Sequence, residues 1–211
     1  MQKIANTLDA DRQGGFTNWK VENLIGDMTL REFLFSNNYK CIAIKGILTS
    51  FVMLALAGSF ALAFRTELAV PDIQFFGARP YMTLMTLHGM LMVFGFVIPI
   101  VISVCYFMMP QVLGTGRLLW AGAAQASYWT LIAAAVLLII GRPDFTWTLY
   151  PPMSLRVGGD LVWMGYVAVI LVAVSEFLAG AVLLRNGLAS KGRWKRVPLM
   201  GWAMLSEAGL L

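Results

Sequence analysis

Apolar positions come in four long runs, separated by short polar stretches. The runs cover residues 46–64, 82–109, 118–141 and 160–184. Each is near the ~20 residues that carry a helix across a bilayer core. A fifth starts at about Leu199 and is still running at Leu211, so another segment or another chain is expected to complete the structure. The pattern predicts an all-α, polytopic membrane bundle over residues 41–211, with a polar tail over residues 1–40 ahead of it. Within the tail, Met28 to Phe35 reads either as a short interfacial helix or as a loosely ordered stretch. The first apolar run comes too late for a cleavable signal peptide.

Composition agrees with the pattern. The chain is 59% hydrophobic and 13% charged, with mean hydropathy +0.73, whereas a soluble domain is roughly a quarter charged. The net charge of +5 follows from topology and not from nucleic-acid binding. The tail and the loops after spans two and four share one side. They hold Lys3, Arg12, Lys20, Arg31, Lys40, Lys45, Arg117, Arg185, Lys191, Arg193, Lys195 and Arg196; the other side holds Arg65, Arg79, Arg142 and Arg156. This asymmetry puts the N-terminus inside. Cys41 and Cys105 both fall near the inner face, where a reducing compartment argues against a disulfide, and no CxxC pattern suggests zinc or iron–sulfur.

The chain has one histidine, His88, and it lies inside span two. An ionisable ring in hydrocarbon is a functional-site hypothesis. It is either a cofactor ligand or a neutral imidazole bonded to a backbone carbonyl or a serine. Gly89 removes a side chain where a large flat ligand would need room. His88 sits about six residues into the span, ~9 Å below the outer surface at ~1.5 Å per residue. Arg65 ends span one on that side. The loop from Arg142 to Arg156, with Asp144, Trp147, Tyr150, Pro151 and Pro152, is there too, so a flat anionic cofactor would find a ligand and polar partners. For Trp147 and Tyr150 alone, a membrane-interface aromatic belt is the simpler account, and Arg65 can snorkel.

Two carboxylates, Glu176 and Glu207, fall in the inner third. An ionised carboxylate in lipid costs several kcal/mol, so each needs a proton, a partner or water. Together they suggest a route for protons from the cytoplasm; singly, each reads equally well as a helix–helix hydrogen bond. Gly114-Thr115-Gly116 is a turn and not a nucleotide loop. One histidine makes no metal cluster, and no hydrolase triad can be assembled.

The chain resembles the N-terminal part of subunit I of the haem–copper oxidases. Asn38-Tyr39-Lys40 stands where the family often has Asp-His-Lys. Phe64-Arg65-Thr66-Glu67-Leu68-Ala69-Val70-Pro71 is similar to the family's helix-one ending. Thr86-Leu87-His88-Gly89 with Met92 and Phe94 resembles its helix-two element, and Ser127-Tyr128-Trp129 matches helix three. Phe145-Thr146-Trp147-Thr148-Leu149-Tyr150-Pro151-Pro152-Met153-Ser154 is close to the loop that follows helix three, and Gly201-Trp202-Ala203 resembles the start of helix five. The resemblance implies that His88 is an axial ligand of a low-spin haem iron, its second nitrogen held by an orienting partner. It implies that Arg65 bonds a polar haem substituent, a formyl if the haem is of A type. Trp147 and Tyr150 would lie beside the propionates and the oxygen site.

The departures matter as much. The second low-spin ligand, the high-spin haem ligand and the copper ligands lie on later helices of the family, and no other histidine exists here. The acid that opens one proton channel is missing, with Arg117 at about its place. Glu176, beside Ser175, is the candidate to replace it. The implied complex takes electrons from cytochrome c, another small carrier or quinol. It works with a copper-containing or electron-donor subunit II and the rest of subunit I, in a bacterial or archaeal cytoplasmic membrane or the mitochondrial inner membrane, among lipid and without nucleic acid. The alternatives are a nitric oxide reductase-like subunit or a non-catalytic scaffold or assembly subunit.

Overall fold

The computed structural model describes residues 29–69, 71–72, 75–155, 160–190 and 197–211. The basic residues of the tail before Thr29, Arg156 and the basic cluster 191–196 lie outside them. Among the described residues every regular element is helical. They are α1 (Leu30–Phe35), α2 (Tyr39–Glu67), α3 (Ala78–Met90), a π-helix (Leu91–Val97), α4 (Ile98–Val112), α5 (Ala121–Gly141), α6 (Val162–Ala189) and α7 (Leu199–Leu210). The helices α3, π and α4 run on as one 35-residue span, and α2, α5 and α6 span 29, 21 and 28 residues. All four are long and apolar enough to cross a membrane. The protein is an integral, multi-pass, all-α membrane bundle.

The helices of spans one, two and four run past the ends of the apolar runs. α2 begins at Tyr39 rather than 46, and span two begins at Ala78 rather than 82. Hydropathy marks where hydrocarbon begins, whereas backbone hydrogen bonding continues until a residue stops it. Asn38 starts α2 by accepting from the Lys40 backbone N–H at 3.0 Å, an N-cap. Thr29 and Glu32 form a reciprocal capping box at α1, so the region before span one is a defined short helix from Leu30 onward. Left-handed residues end α5 on both sides, at Trp120 (φ 60°) and Arg142 (φ 45°).

Small residues bring α5 and α6 together. A Cβ on Gly141 would meet the Met164 Cβ at 2.9 Å and the Gly165 backbone N at 3.0 Å, so the helices approach to backbone contact. Ser127 and Ser175 then bond reciprocally. Ser127 Oγ donates to the Ser175 carbonyl at 2.9 Å, and Ser175 Oγ donates to the Ser127 carbonyl at 2.8 Å. Each such bond contributes about 0.6 kcal/mol. At the α1 end, fully buried Asn186 accepts from the Leu119 backbone N–H at 2.9 Å and donates to the Leu119 carbonyl at 3.1 Å. One side chain thus satisfies both backbone groups of a residue just ahead of α5.

Asn186→Ala leaves the Leu119 N–H and carbonyl unpaired, at about 1–3 kcal/mol for each group. Thermal unfolding in detergent micelles is expected to shift down by several degrees with helix content unchanged at low temperature. An unchanged midpoint would contradict this role.

Candidate functional site

His88 stands ten residues into α3, so ~15 Å along the span from Ala78. Its Nδ1 lies 2.9 Å from the Ala57 carbonyl oxygen of α2. A carbonyl has no hydrogen to give, so Nδ1–H is the donor; in the neutral ring the lone pair is then on Nε2. Nε2 has no hydrogen-bond partner among the described residues. The bond to Ala57 suits a structural histidine and a metal ligand alike, and it leaves the Nε2 lone pair available on a half-buried ring. Phe64 packs edge-on to the imidazole, with ring centroids 5.6 Å apart, and also meets Tyr81 at 5.8 Å. The ring is therefore held at one nitrogen and on one side.

The space beside Gly89 holds the Trp147 side chain. A Cβ there would meet Trp147 Cγ at 2.5 Å and Cβ at 2.7 Å. Gly89 therefore seats the Trp147 side chain one residue from His88. The loop that delivers Trp147 is tightly folded. Thr146 (φ 62°) and Leu149 (φ 55°) are left-handed, and the Pro151–Pro152 bond is cis. Asp144 accepts from Arg79 Nε at 3.1 Å, tying this loop to the start of α3. Phe145 is fully buried against Tyr166, centroids 5.0 Å apart, where Gly165 makes room for it.

Arg65 and Tyr150 are not brought to His88. Both are exposed, Tyr150 by 74%, and among the described residues no hydrogen bond or ring contact joins either to the imidazole. Arg65 follows Phe64, which does touch it. Glu67, two residues further, is a residue the sequence reading passed over. It is buried, and its Oε2 accepts from the Phe75 and Phe76 backbone N–H groups at 2.7 and 2.9 Å. It ties the backbone of Phe75 and Phe76 to the end of α2.

Glu176 lines a cavity of ≈ 160 Å³ walled by α3, the π-helix, α5 and α6, otherwise apolar. Its Oε1 is buried there without a hydrogen-bond partner. Glu207 lies outside that cavity. α7 packs on α6 with the Ala208 carbonyl opposite Gly180, so the two acids are at similar depth but do not share a chamber. A second, smaller cavity of ≈ 40 Å³ adjoins the first, with Gly95, Leu131 and Ala135 as common walls. It is faced by Ser50, Ser103, Tyr106, Ser127, Tyr128 and Ser175. The Tyr106 hydroxyl is buried with no hydrogen bond of acceptable geometry, although Ser127 is near. A volume of this size with several polar walls holds about two or three waters.

At the α1 end of this polar column is Lys45, 2% exposed. It donates to the Leu34 carbonyl at 2.7 Å and to Gln125, and its Nζ lies 4.6 Å from the Tyr128 ring centroid. Gln125 donates to the same carbonyl at 2.6 Å. Tyr128 passes the contact on through a 2.9 Å bond with Thr49. Lys45 lay just outside the apolar run in sequence, which hid it; the polar residue four positions on, Thr49, on the same helix face, was the available signal. Among the described residues no three His, Cys, Asp or Glu side chains converge as a metal cluster, and both cysteines are free and buried.

A donor set of one oriented imidazole with an unpaired Nε2 suits a single axial position on a haem iron, and not a metal held wholly by this chain. The comparisons with known proteins point the same way. The family described as cytochrome C and quinol oxidase polypeptide I matches residues 41–211. Cytochrome c oxidase subunit 1 of Synechocystis sp. is 32% identical over 204 residues, which is 90% of this chain and 37% of that protein. The subunit of the same name from Thermostichus vulcanus is 30% identical over 184 residues, 83% of this chain and 33% of that protein. A heme-copper oxidase subunit I+III of Aeropyrum pernix is 26% identical over 188 residues, 82% of this chain and 23% of that protein. The chain thus spans about a third or less of the length of these relatives. With four-fifths of its length matched by one family, the chain belongs to the cytochrome c and quinol oxidase polypeptide I family.

Proposed function

We propose that this chain forms part of the catalytic core of a respiratory haem–copper terminal oxidase, with His88 as one axial ligand of a low-spin haem iron. The observation that carries the reading is the His88 ring itself: Nδ1–H fixed on the Ala57 carbonyl at 2.9 Å, and Nε2 without a hydrogen-bond partner among the described residues. A metal-bound histidine almost always donates its other N–H in this way, which fixes the tautomer and the ring direction. When bound, the haem supplies reversible one-electron transfer toward a site where O₂ is reduced to water.

The chain's own residues bind and orient. Phe64 and the Trp147 side chain beside Gly89 hold the ring's surroundings apolar, and Arg65 and Tyr150 are the polar groups available at that end for haem substituents. The second axial ligand, the high-spin haem ligand and the copper ligands come from outside these residues, because His88 is the single histidine. The remaining part of subunit I and a subunit II carrying the electron-donor interface are the partners this requires. The donor is cytochrome c, another small carrier or quinol. In this reading the N-terminus and the Lys45 end face the cytoplasm, an orientation that the lysine and arginine asymmetry supports. Protons would enter there, and Glu176, with its unpaired buried oxygen beside the serine-lined cavity, holds a proton on the way to the oxygen site. Glu207, at similar depth on α7, is the second acid on that side.

His88→Ala is expected to abolish the low-spin haem absorption of the assembled complex and to lower turnover by a factor of ten or more. A normal low-spin spectrum in that variant would favour a non-catalytic scaffold. Glu176→Gln is expected to leave haem content unchanged while slowing turnover and proton uptake together, by about tenfold to a hundredfold, within the range a positioned proton donor contributes. Unchanged proton uptake would reject the relay.

A further inference from the structure

The second span changes helix type between its two functional ends. Residues 91–97 form a π-helix, and the Ile98 backbone N–H reaches back five residues to the Val93 carbonyl. A seven-residue π-helix is an uncommon element that concentrates at functional positions. Pro99 explains its place. Proline has no N–H to give to the Gly95 carbonyl, and its ring would collide with that carbonyl in a regular α-helix. The wider turn moves the carbonyl away. Gly95 is also where the span presses on α2, since a Cβ there would meet the Met53 Cβ at 3.2 Å.

The widened segment resets which way the two halves of the span face. His88 and Tyr106 are 18 residues apart (106 − 88). That is about five turns of an uninterrupted α-helix, so the two would share a face. A π segment takes up about one extra residue, turning one half against the other by roughly 100°. In the structure His88 bonds α2 at Ala57, while Tyr106 sits by Ser127 of α5. Gly95, inside the π segment, walls both the polar cavity and the Glu176 cavity.

We propose that Pro99 is a positioning residue for His88: it maintains the π segment, which sets the rotation of the imidazole against the polar half of the same helix. The inference rests on His88 being a haem ligand. Pro99 touches no haem in this account; it acts through helix register alone.

The test uses the assembled oxidase complex in membranes and reads the low-spin haem EPR g-values and reduced absorption band. Pro99→Ala supplies the missing N–H and lets the segment close toward an α-helix. It is expected to keep the haem but shift both signals. Removing Val97, an exposed π-segment residue, in the same background takes out the surplus residue. It is expected to bring both signals back toward wild type, and to restore assembly if Pro99→Ala alone fails to assemble. A residue that merely stabilised the helix would not be rescued by a deletion. The proposal is overturned if Pro99→Ala leaves both signals as in wild type, or if the deletion variant departs as far as Pro99→Ala or further. His88→Ala run in parallel separates the two readings. If it leaves the low-spin signals intact, the haem assignment itself fails; if it abolishes them while Pro99→Ala changes nothing, only the register proposal fails.

Discussion

One hydrogen bond between two membrane helices, from His88 Nδ1–H to the Ala57 carbonyl, is the constraint on which the functional account turns. It acts on three things at once. It satisfies half of an otherwise costly ring in hydrocarbon, it fixes the tautomer, and it locks the His88 part of span two against span one. Everything near it serves the same fixation: Phe64 edge-on at 5.6 Å, Trp147 seated on Gly89, and Glu67 tying down the following loop. In the proposed role, a ring held this firmly would have little freedom left to lose on binding iron.

The same physics organises the rest of the bundle. With no water available, buried polar groups must find each other across helices. Ser127 finds Ser175, Asn186 finds both backbone groups of Leu119, and Lys45 finds the Leu34 carbonyl and Gln125. The last of these also places a cation at the C-terminal end of α1, the favourable end of the helix dipole. Among the described residues the departures from this rule are Trp129 Nε1, the Tyr106 hydroxyl and Glu176 Oε1. Tyr106 and Glu176 each border one of two adjoining cavities. Unsatisfied oxygens beside a chamber large enough for water are what a proton relay needs and what a purely structural core avoids.

Much of this was legible in the sequence. Four apolar runs became four spans, because a bilayer leaves a chain little choice but helices of bilayer length. The solitary histidine and Glu176 in span four were visible for the same reason: polar residues in such runs are conspicuous. The contacts of Gly89 were not legible. A missing side chain says that something approaches, but not that it is Trp147, nearly sixty positions away. Glu67 and Lys45 sat at the margins of the apolar runs, where charge is unremarkable, and only the fold reveals that both are buried. The π-helix was hidden as well. A proline within a span predicts a disturbance, but not that the turn before it widens into a π-helix of seven residues. Arg65 and Tyr150 were singled out by depth in the membrane and by the family resemblance, and among the described residues no hydrogen bond or ring contact carries them to His88.

The most direct measurement is magnetic resonance on the low-spin haem of the assembled complex, with isotope-labelled histidine introduced into this chain only. The account predicts strong coupling of the iron to one labelled nitrogen, Nε2. It also predicts a second, weakly coupled nitrogen whose proton exchanges slowly because it is bonded to the Ala57 carbonyl. Absence of any labelled nitrogen coupled to iron would contradict the central claim.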